Sequence, residues 1–330
     1  MIGFTQNEVN EIIEYYYNQK VILPNHVKII KQAMKLNYNN YTFSSKTDEK
    51  IYNSDMVLFY LNSYLTDKKL LSDLIDDNVR TDYGKLRFLI TEKGKLNGNF
   101  EILKTLLDKG EVSGELVKSF SIGELIDEKK FRSLLFYLGL VTIKENIFGN
   151  EYIYIIPNKT INILQWDYIR KAISENFPLK IDTDFLKREF INMAFRGEWK
   201  NLLTYILEKF YEASSIRDFV FHEEGIKMFL LAYLNVSPLY IVQSESEMEK
   251  GYADIFLQKD YIVTDKTEYE YIIELKYIKK QEVKKIDLNK VKEESKKQLE
   301  NYAKSKKIRE KLIKIIIITT SDKLLLIKQI

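Results

Sequence analysis

Three charged residues interrupt two apolar stretches in the C-terminal part of the sequence. Asp254 lies within residues 251–258, and Glu274 and Lys276 lie within residues 271–278, where the neighbouring residues are typical of a buried strand. Because side chains alternate across a strand, Glu274 and Lys276 share one face. Charges in a half-buried strand are costly unless they are paired or bind a metal ion. We therefore predict that Asp254, Glu274 and Lys276 form one site.

The elements that must position this site follow from the periodicity of the C-terminal third. Helical spacing predicts a helix over residues 215–234 and a long basic helix over about 287–307. Apolar runs predict strands over residues 240–243, 251–258, 269–278, 313–319 and 324–327. This order of helices and strands predicts a mostly meandering sheet with helices on its faces.

The N-terminal part is predicted to be helical, with one small hairpin. Thr5 and Glu8 have the spacing of a capping box in front of a helix over about residues 6–18. Residues 36–53 are predicted to form a turn-rich connection, and helical spacing from Lys68 to Gly139 has few interruptions. Two apolar stretches on either side of Gly149 predict the hairpin.

A chain of 330 residues is long enough for two domains. The best linker is the polar, proline-containing stretch at residues 178–184. We predict a helical domain at residues 1–180 and a second domain at residues 181–330, with its core at about 215–330.

Composition excludes several kinds of chemistry. The chain has no cysteine, which excludes disulfides, thiol catalysis and cysteine-bound zinc or iron. The N-terminus has no signal-peptide pattern, and no apolar run approaches the roughly 18 residues of a membrane span. We therefore expect a soluble, cytoplasmic protein that does not cross a membrane.

Charge is unevenly distributed along the chain. The net charge is only +3, yet residues 276–314 contain 15 lysines and arginines against 6 acidic residues. Such asymmetry is typical of a surface that binds a polyanion such as nucleic acid. A well-solvated, lysine-rich helix is an equally open interpretation.

The acidic and basic residues of the predicted strands resemble the pattern of the PD-(D/E)XK nuclease superfamily: a carboxylate on one strand, then Glu-X-Lys on the next. The resemblance implies a restriction-endonuclease-like fold with a mixed sheet flanked by helices. It also implies that Asp254 and Glu274 hold Mg²⁺ or Mn²⁺, ions that favour oxygen ligands. Such an ion polarises the phosphate and activates water. Lys276 would orient that water or stabilise the developing charge.

A wider resemblance covers nearly the whole chain and points to bacterial proteins that join an AAA-ATPase-like region to a C-terminal PD-(D/E)XK domain. In the N-terminal half, the matching segments are GFTQNEV, NYNNYTF with IYNSD, LLFYLGLVTI and IPN. They resemble the family's GFT-x-x-EV, WYNGY-x-F with YNP-x-S, L-x-x-x-GYLT and IPN segments. The resemblance implies that residues 1–180 correspond to the lid-like end of the ATPase region.

In the C-terminal half, the sequence from Ser244 to Gly251 resembles S-N-x-E-x-G-x-G, with Glu247 in the glutamate position. Gly251-x-x-Asp254 followed by Ile-Glu-Leu-Lys resembles G-R-x-D…(F/I)-E-(F/L)-K. The main departure is Tyr252, which stands where an arginine is usual.

The family's nucleotide-binding motif is missing from this sequence. No G-x-x-x-x-G-K-[ST] occurs, so we predict no ATP site within these residues. The family places that motif before GFT. The resemblance therefore implies either a missing N-terminal segment or a separate P-loop ATPase partner.

Glu223 is a further candidate ligand, because the superfamily often places an acid near the metal on the helix before the sheet. It lies on the apolar stripe of its predicted helix, between Phe219 and Ile226. A capping or surface role is an open alternative for Glu223. We expect the adjacent His222 to have a structural role.

Gln298 and Tyr302 lie one turn apart on the basic helix, and the spacing predicts a shared face. The resemblance implies that Gln298 approaches the catalytic site and that Tyr302 either packs or touches phosphate. Several lysines are candidates for phosphate contacts that hold nucleic acid without reading its sequence: Lys279, Lys280, Lys284, Lys285, Lys296, Lys297, Lys306 and Lys307.

Together these features predict a metal-dependent nuclease that hydrolyses phosphodiester bonds, with DNA as the expected substrate. Two alternatives stay open. In one, the same sheet and basic helix form a binding module for nucleic acid or protein without catalysis. In the other, the chain is an interaction subunit of an ATPase complex.

Overall fold

The structure of the protein is a computed structural model, which describes residues 3–44, 47, 49–71, 73–77, 79, 88–92, 95–119, 127–176, 179–214, 223–248, 251–305 and 311–330. Within these ranges, the side chains of residues 91, 92, 95, 176, 214, 223, 224, 245–248, 251–253, 304 and 305 are not described. The chain divides into two compact units, Met1–Ala172 and Ile173–Ile330.

The N-terminal unit is mainly helical, as predicted. Its helices are α1 (Gln6–Asn18), α2 (Pro24–Tyr38), α3 (Ser54–Asp67), α4 (Gly98–Lys109), α5 (Glu128–Tyr137) and α6 (Lys159–Asn176), the last of which crosses the boundary between the units. Its strands are β1 (Gly3–Phe4), β2 (Tyr52–Asn53), β3 (Thr91–Glu92), β4 (Lys95–Leu96), β5 (Glu111–Glu115), β6 (Thr142–Phe148) and β7 (Glu151–Ile155).

Local sequence signals decide where α1 begins and how it packs. The Thr5 hydroxyl accepts a hydrogen bond from the Glu8 amide, and the Glu8 carboxylate accepts one from the Thr5 amide at 2.7 Å, so the predicted capping box is present. One turn apart, Val9 and Ile13 are buried on the inward face of the helix.

The predicted hairpin around Gly149 is formed by β6 and β7, but it belongs to a larger sheet. The strand β5 pairs with β7 in antiparallel fashion, which gives the order β5-β7-β6. The expectation of a single small hairpin was therefore incomplete. The sequence of β5, EVSGE, lacks the apolar alternation that is typical of a strand. It forms a strand because its backbone pairs with the free edge of β7.

Segments of the N-terminal half that resemble family motifs meet inside this unit. The Asn158 amide donates a 2.9 Å hydrogen bond to the carbonyl of Asn39, which joins the IPN segment to NYNNYTF. The backbone of Thr42 exchanges hydrogen bonds with the buried Thr142 hydroxyl at 2.6 and 2.9 Å. These motif residues therefore connect distant parts of the chain through buried polar contacts.

The C-terminal unit consists of a five-stranded mixed sheet and its helices. Its helices are α7 (Thr183–Arg196), α8 (Lys200–Ser214), α9 (Glu223–Leu234) and α10 (Leu288–Ser305). Its strands are β8 (Tyr240–Met248), β9 (Gly251–Lys259), β10 (Tyr269–Tyr277), β11 (Lys311–Thr319) and β12 (Leu324–Gln329). The predicted residues 215–222 and 306–307 of two helices lie outside the described part of the chain.

The sheet order is β12-β11-β10-β9-β8. The strands β8, β9 and β10 follow one another as antiparallel neighbours, and β11 then pairs parallel to β10. A parallel pair needs a long crossover connection, and α10 lies within it. The sheet thus meanders through three strands and becomes mixed at the crossover.

Helices cover both faces of this sheet. On one face, the Tyr271 hydroxyl donates a 2.6 Å hydrogen bond to the Met193 carbonyl of α7, and the Tyr211 hydroxyl of α8 bonds to that of Thr319. The helix α9 packs on α8 through two phenylalanine rings 5.4 Å apart. The helices α7, α8 and α9 therefore form the layer on the face that carries Tyr271.

The opposite face packs against α10. The buried cluster there contains Phe256, Ile272, Ile278, Leu299, Tyr302, Ile316 and Ile318. Burying such side chains contributes about 1.5–3 kcal/mol each, so this cluster fixes α10 on the sheet. Because side chains alternate, Asp254, Glu274 and Lys276 emerge on the same face as Phe256 and Ile272.

Of the helices that the structure describes, none combines the length and apolar composition that a membrane span requires.

Candidate active site

The strands β9 and β10 separate at the predicted site. Their register runs over three described pairs and ends at Ile273 opposite Ile255. From there on, β9 continues to pair with β8, and β10 continues to pair with β11. Asp254 and Glu274 are the first residues beyond the last pair. We call this position the strand fork, defined by Asp254, Glu274 and Leu275.

Asp254 is fixed at the strand fork by the backbone of the neighbouring strand. Its carboxylate oxygen Oδ2 accepts a 2.7 Å hydrogen bond from the Leu275 amide. A side chain thus satisfies an amide that a continuing strand pair would have satisfied. This bond holds the carboxylate against β10, while Asp254 stays only partly buried.

Glu274 is almost fully buried, with 2% of its surface exposed. Its oxygen Oε1 lies 2.6 Å from the Lys276 ammonium, whose side chain is 32% exposed. Residues two apart on a strand share a face, so this contact follows from the Glu-X-Lys spacing. The ion pair offsets part of the cost of burying the Glu274 carboxylate. Because Lys276 is partly exposed, the site is accessible to solvent on its side.

The donor set fits a hydrated divalent cation. Mg²⁺ is commonly bound by one or two carboxylates together with water and substrate phosphate oxygens. The structure places Asp254 of β9 and Glu274 of β10 just beyond the last pair of these two strands, which supplies two such carboxylates. Among the side chains that the structure describes, no group of three or more metal-binding residues is close enough to form an all-protein cage.

The predicted third ligand, Glu223, is the first residue of α9, and its side chain lies outside the described residues. The helix α9 belongs to the layer on the face opposite to Glu274 and Lys276. Its role as a ligand stays a prediction. His222 lies outside the described residues, and Glu247 is described only as a backbone position of β8.

Gln298 and Tyr302 lie on one side of α10, as their i, i+4 spacing predicts, but they differ in burial. Gln298 is exposed, whereas Tyr302 is 9% exposed and belongs to the core cluster. The inward stripe of the helix is formed by Val291, Ser295 and Leu299, and it places Tyr302 inside while Gln298 lies at its solvent side. Of the two roles considered for Tyr302, the structure shows packing in the core cluster, and a contact with phosphate stays a prediction.

The candidate phosphate-binding lysines differ in their surroundings. Lys279, Lys280, Lys284, Lys285 and Lys297 are exposed, Lys296 is partly buried, and Lys306 and Lys307 lie outside the described residues. The Lys280 ammonium lies 2.7 Å from Oδ2 of Asp322, in the turn between β11 and β12. The hydrogen bond from Lys280, followed by that from Thr320, lowers the pKa of Asp322 below its usual value.

Two contacts of the site were not foreseen from the sequence. One is the Leu275 amide, which holds Asp254 and which has no residue-type signature. The other is Asp322, although Thr320, Asp322 and Lys323 have the spacing of a side-chain-stabilised turn, in which the Thr320 hydroxyl donates to Asp322 at 2.8 Å.

Comparison with known proteins bears on the C-terminal unit. Residues 221–329 match the family model described as the PD-(D/E)XK nuclease superfamily. No curated protein and no solved structure gives a significant match. The match supports a PD-(D/E)XK nuclease superfamily domain at residues 221–329, in agreement with the resemblance of the motifs. None of these comparisons supports the AAA-ATPase resemblance of the N-terminal half, which stays a prediction.

Proposed function

From the PD-(D/E)XK nuclease superfamily domain at residues 221–329, we propose that this protein is a metal-dependent nuclease whose catalytic site is the strand fork. The observation that carries the proposal is the meeting of Asp254, Glu274 and Lys276 where β9 and β10 separate. The basic residues that follow β10 favour a nucleic acid substrate, and DNA is the substrate we propose. We propose a cytoplasmic location, where DNA is accessible.

In this proposal Asp254 and Glu274 hold a magnesium or manganese ion. When bound, such an ion supplies Lewis acidity toward a phosphate oxygen and lowers the pKa of a coordinated water. The Leu275 amide keeps the Asp254 carboxylate in one orientation, so little reorganisation is needed when the ligands engage. Glu223 is a further candidate ligand from α9.

Lys276 is the proposed catalytic cation. Its ammonium is next to Glu274 on the side of the site that reaches solvent, where the phosphate would enter. A positive charge there can orient the attacking water and stabilise the charge that develops on the phosphoryl oxygens. Gln298, which is exposed on α10, is proposed to contact the substrate next to this site.

A cleavage assay with the full chain tests this proposal. We expect Mn²⁺- or Mg²⁺-dependent cleavage of DNA that EDTA abolishes. Lys276→Ala should lower the rate about 10²–10³-fold, the usual effect of removing one charge-stabilising group. Lys266→Ala changes an exposed lysine in the β9–β10 connection and serves as the matched control. If no single- or double-stranded nucleic acid is cut, or if Lys276→Ala cuts as well as the wild type, the proposal fails.

A second candidate function is binding without catalysis, as a subunit of an ATPase complex. The observation that favours it is the Glu274–Lys276 ion pair, which neutralises the buried carboxylate without any metal ion. The departure at Tyr252 from the usual arginine points the same way. This alternative predicts nucleic acid or protein binding that is unaffected by metal, and a stable partner that carries the P-loop.

A further inference from the structure

The residues that follow β10 form a compact segment with four exposed lysines. In the lysine segment, residues 278–287, the backbone folds through hydrogen bonds from Glu282 to Lys279 and from Lys285 to Glu282, both at 2.8 Å. Val283 and Ile286 pack against the core cluster under α10. The four lysines on either side of Val283, namely Lys279, Lys280, Lys284 and Lys285, are all exposed to solvent.

This segment begins next to the strand fork. Lys276 and Ile278 are two residues apart, and the Ile278 amide donates a 2.8 Å hydrogen bond to the carbonyl of Thr319 at the end of β11. The segment therefore begins at the end of the parallel pair β10–β11, directly after the exposed side of Lys276. A nucleic acid strand that entered the site would pass these lysines.

One of the four lysines is held by a carboxylate of the same unit. The Lys280 ammonium binds Oδ2 of Asp322, and Oδ1 of Asp322 accepts a 2.8 Å hydrogen bond from the buried Thr320 hydroxyl. Each carboxylate oxygen thus has its own donor, which orients Asp322 toward the lysine segment. Among the described residues, Lys279, Lys284 and Lys285 form no ion pair.

We propose that Lys280 and Asp322 are positioning residues, which hold the lysine segment so that Lys279, Lys284 and Lys285 contact the phosphates of a nucleic acid bound at the strand fork. Lys280 thereby loses its predicted role as a phosphate contact. This inference rests on the proposed function, because it needs a nucleic acid at that site.

The proposal makes an unusual prediction for Asp322→Lys. This variant adds two positive charges beside the lysines, so simple charge attraction would tighten the binding of nucleic acid. If Asp322 positions the segment, two facing ammonium groups instead push it away from the turn. We then expect weaker binding, about tenfold in Kd at about 0.1 M salt, comparable to the loss of one phosphate contact.

The exchanged pair Lys280→Asp with Asp322→Lys keeps the net charge and rebuilds the ion pair in reverse. We expect this double variant to bind within about twofold of the wild type and to keep the wild-type dependence of Kd on salt, since no phosphate contact is lost. By contrast, Lys284→Gln should reduce the slope of log K against log salt by about 0.9.

A second exposed ion pair provides the matched control. Lys311 and Glu268 lie 2.8 Å apart at the opposite end of β10 and β11. Glu268→Lys changes charge by the same amount as Asp322→Lys. We expect it not to weaken binding, because that pair lies at the far end of these strands.

The measurement is fluorescence anisotropy of labelled single-stranded and duplex DNA with the full chain in EDTA, with folding checked by circular dichroism. Tighter or unchanged binding by Asp322→Lys overturns the inference. So does an exchanged pair that stays as weak as Asp322→Lys. EDTA prevents cleavage during this binding measurement. If the wild type cuts DNA in the cleavage assay but the variants give either of these results, only the positioning role is contradicted. A wild type that neither binds nor cuts contradicts the proposed function as well.

Discussion

At the scale of single residues, the site combines two carboxylates with different surroundings. Asp254 is partly exposed and bonded to a backbone amide, whereas Glu274 is buried and paired with Lys276. Buried charges are kept only at a cost in stability, which is typical of functional sites. The structure thus predicts that stability and activity respond in opposite directions at Glu274.

The variant Glu274→Gln tests this relation. Glutamine has nearly the same shape and carries no charge, so we expect the free energy of unfolding to stay equal or rise by up to about 1 kcal/mol while activity is lost. Lys276→Met leaves the buried carboxylate without this cation. It should lower the free energy of unfolding by about 1–3 kcal/mol, less than for a fully buried pair because Lys276 is 32% exposed.

Urea unfolding of both single variants and the double variant measures these values. The double variant should recover most of the stability that Lys276→Met loses. A Glu274→Gln variant that is as destabilised as Lys276→Met would contradict this interpretation of the pair.

The pair of Lys280 and Asp322 leads to a prediction about pH. The hydrogen bond from Lys280 lowers the pKa of Asp322 below its ordinary value. A lowered carboxyl pKa contributes stability that is complete above the unfolded pKa and is lost as the pH falls through the folded pKa. The contribution of this pair should therefore be constant from neutral pH down to about 4 and disappear in more acidic solution.

The pH dependence of unfolding, compared between the wild type and Asp322→Asn, measures this effect. The difference between their free energies of unfolding should be constant between about pH 5 and 8, because this range lies above the ordinary carboxyl pKa of about 4. If this difference changes within that pH range, another group that titrates there interacts with Asp322, which contradicts the prediction.

At the scale of secondary structure, α10 has an inward stripe and a solvent side. Tyr302 lies in the stripe, and Gln298 is exposed. Tyr302→Ala should therefore lower the free energy of unfolding by about 3 kcal/mol, as for other large aromatic side chains removed from a core. Gln298→Ala should change it by less than about 0.5 kcal/mol.

Chemical unfolding of the two variants provides the comparison, and nuclease activity of Gln298→Ala reports whether Gln298 contacts the substrate. Equal stability losses for the two variants would show that the helix packs with another face inward.

The positions of strands and helices in the C-terminal unit were largely predictable, because apolar periodicity is a local property. The Glu-X-Lys spacing alone predicted that Glu274 and Lys276 meet. The strand fork was not predictable in detail, since it depends on where the register between β9 and β10 ends. The inward position of Tyr302 needed the packing of α10, because i, i+4 spacing alone leaves the orientation of the helix open.

At the scale of the whole molecule, the two units differ in how well the sequence explains them. Residues 221–329 of the C-terminal unit match the PD-(D/E)XK nuclease superfamily, and the sheet brings Asp254, Glu274 and Lys276 together where β9 and β10 separate. In the N-terminal unit, the residues of the family-like motifs connect distant segments, such as Asn158 with Asn39. The strand β5 was not predicted, because its sequence is polar and its strand conformation depends on pairing with β7, which is distant in the chain.

The predicted boundary near residue 180 lies between the end of α6 at Asn176 and the start of α7 at Thr183, and the compact units divide within α6. The assignment of residues 1–180 to an ATPase lid-like region stays a prediction. A P-loop ATPase that co-assembles with the purified full chain would support it.

The most direct test of the central claim is the rate of Mn²⁺-dependent DNA cleavage by Asp254→Asn. Asparagine keeps an oxygen that can accept the Leu275 hydrogen bond, so the strand fork stays intact while the metal-binding charge is removed. Asp265→Asn, an exposed carboxylate in the β9–β10 connection, is the control. We predict wild-type cleavage for Asp265→Asn and a loss of at least about 10²-fold for Asp254→Asn. Equal cleavage by the two variants would contradict the assignment of the strand fork as the catalytic site.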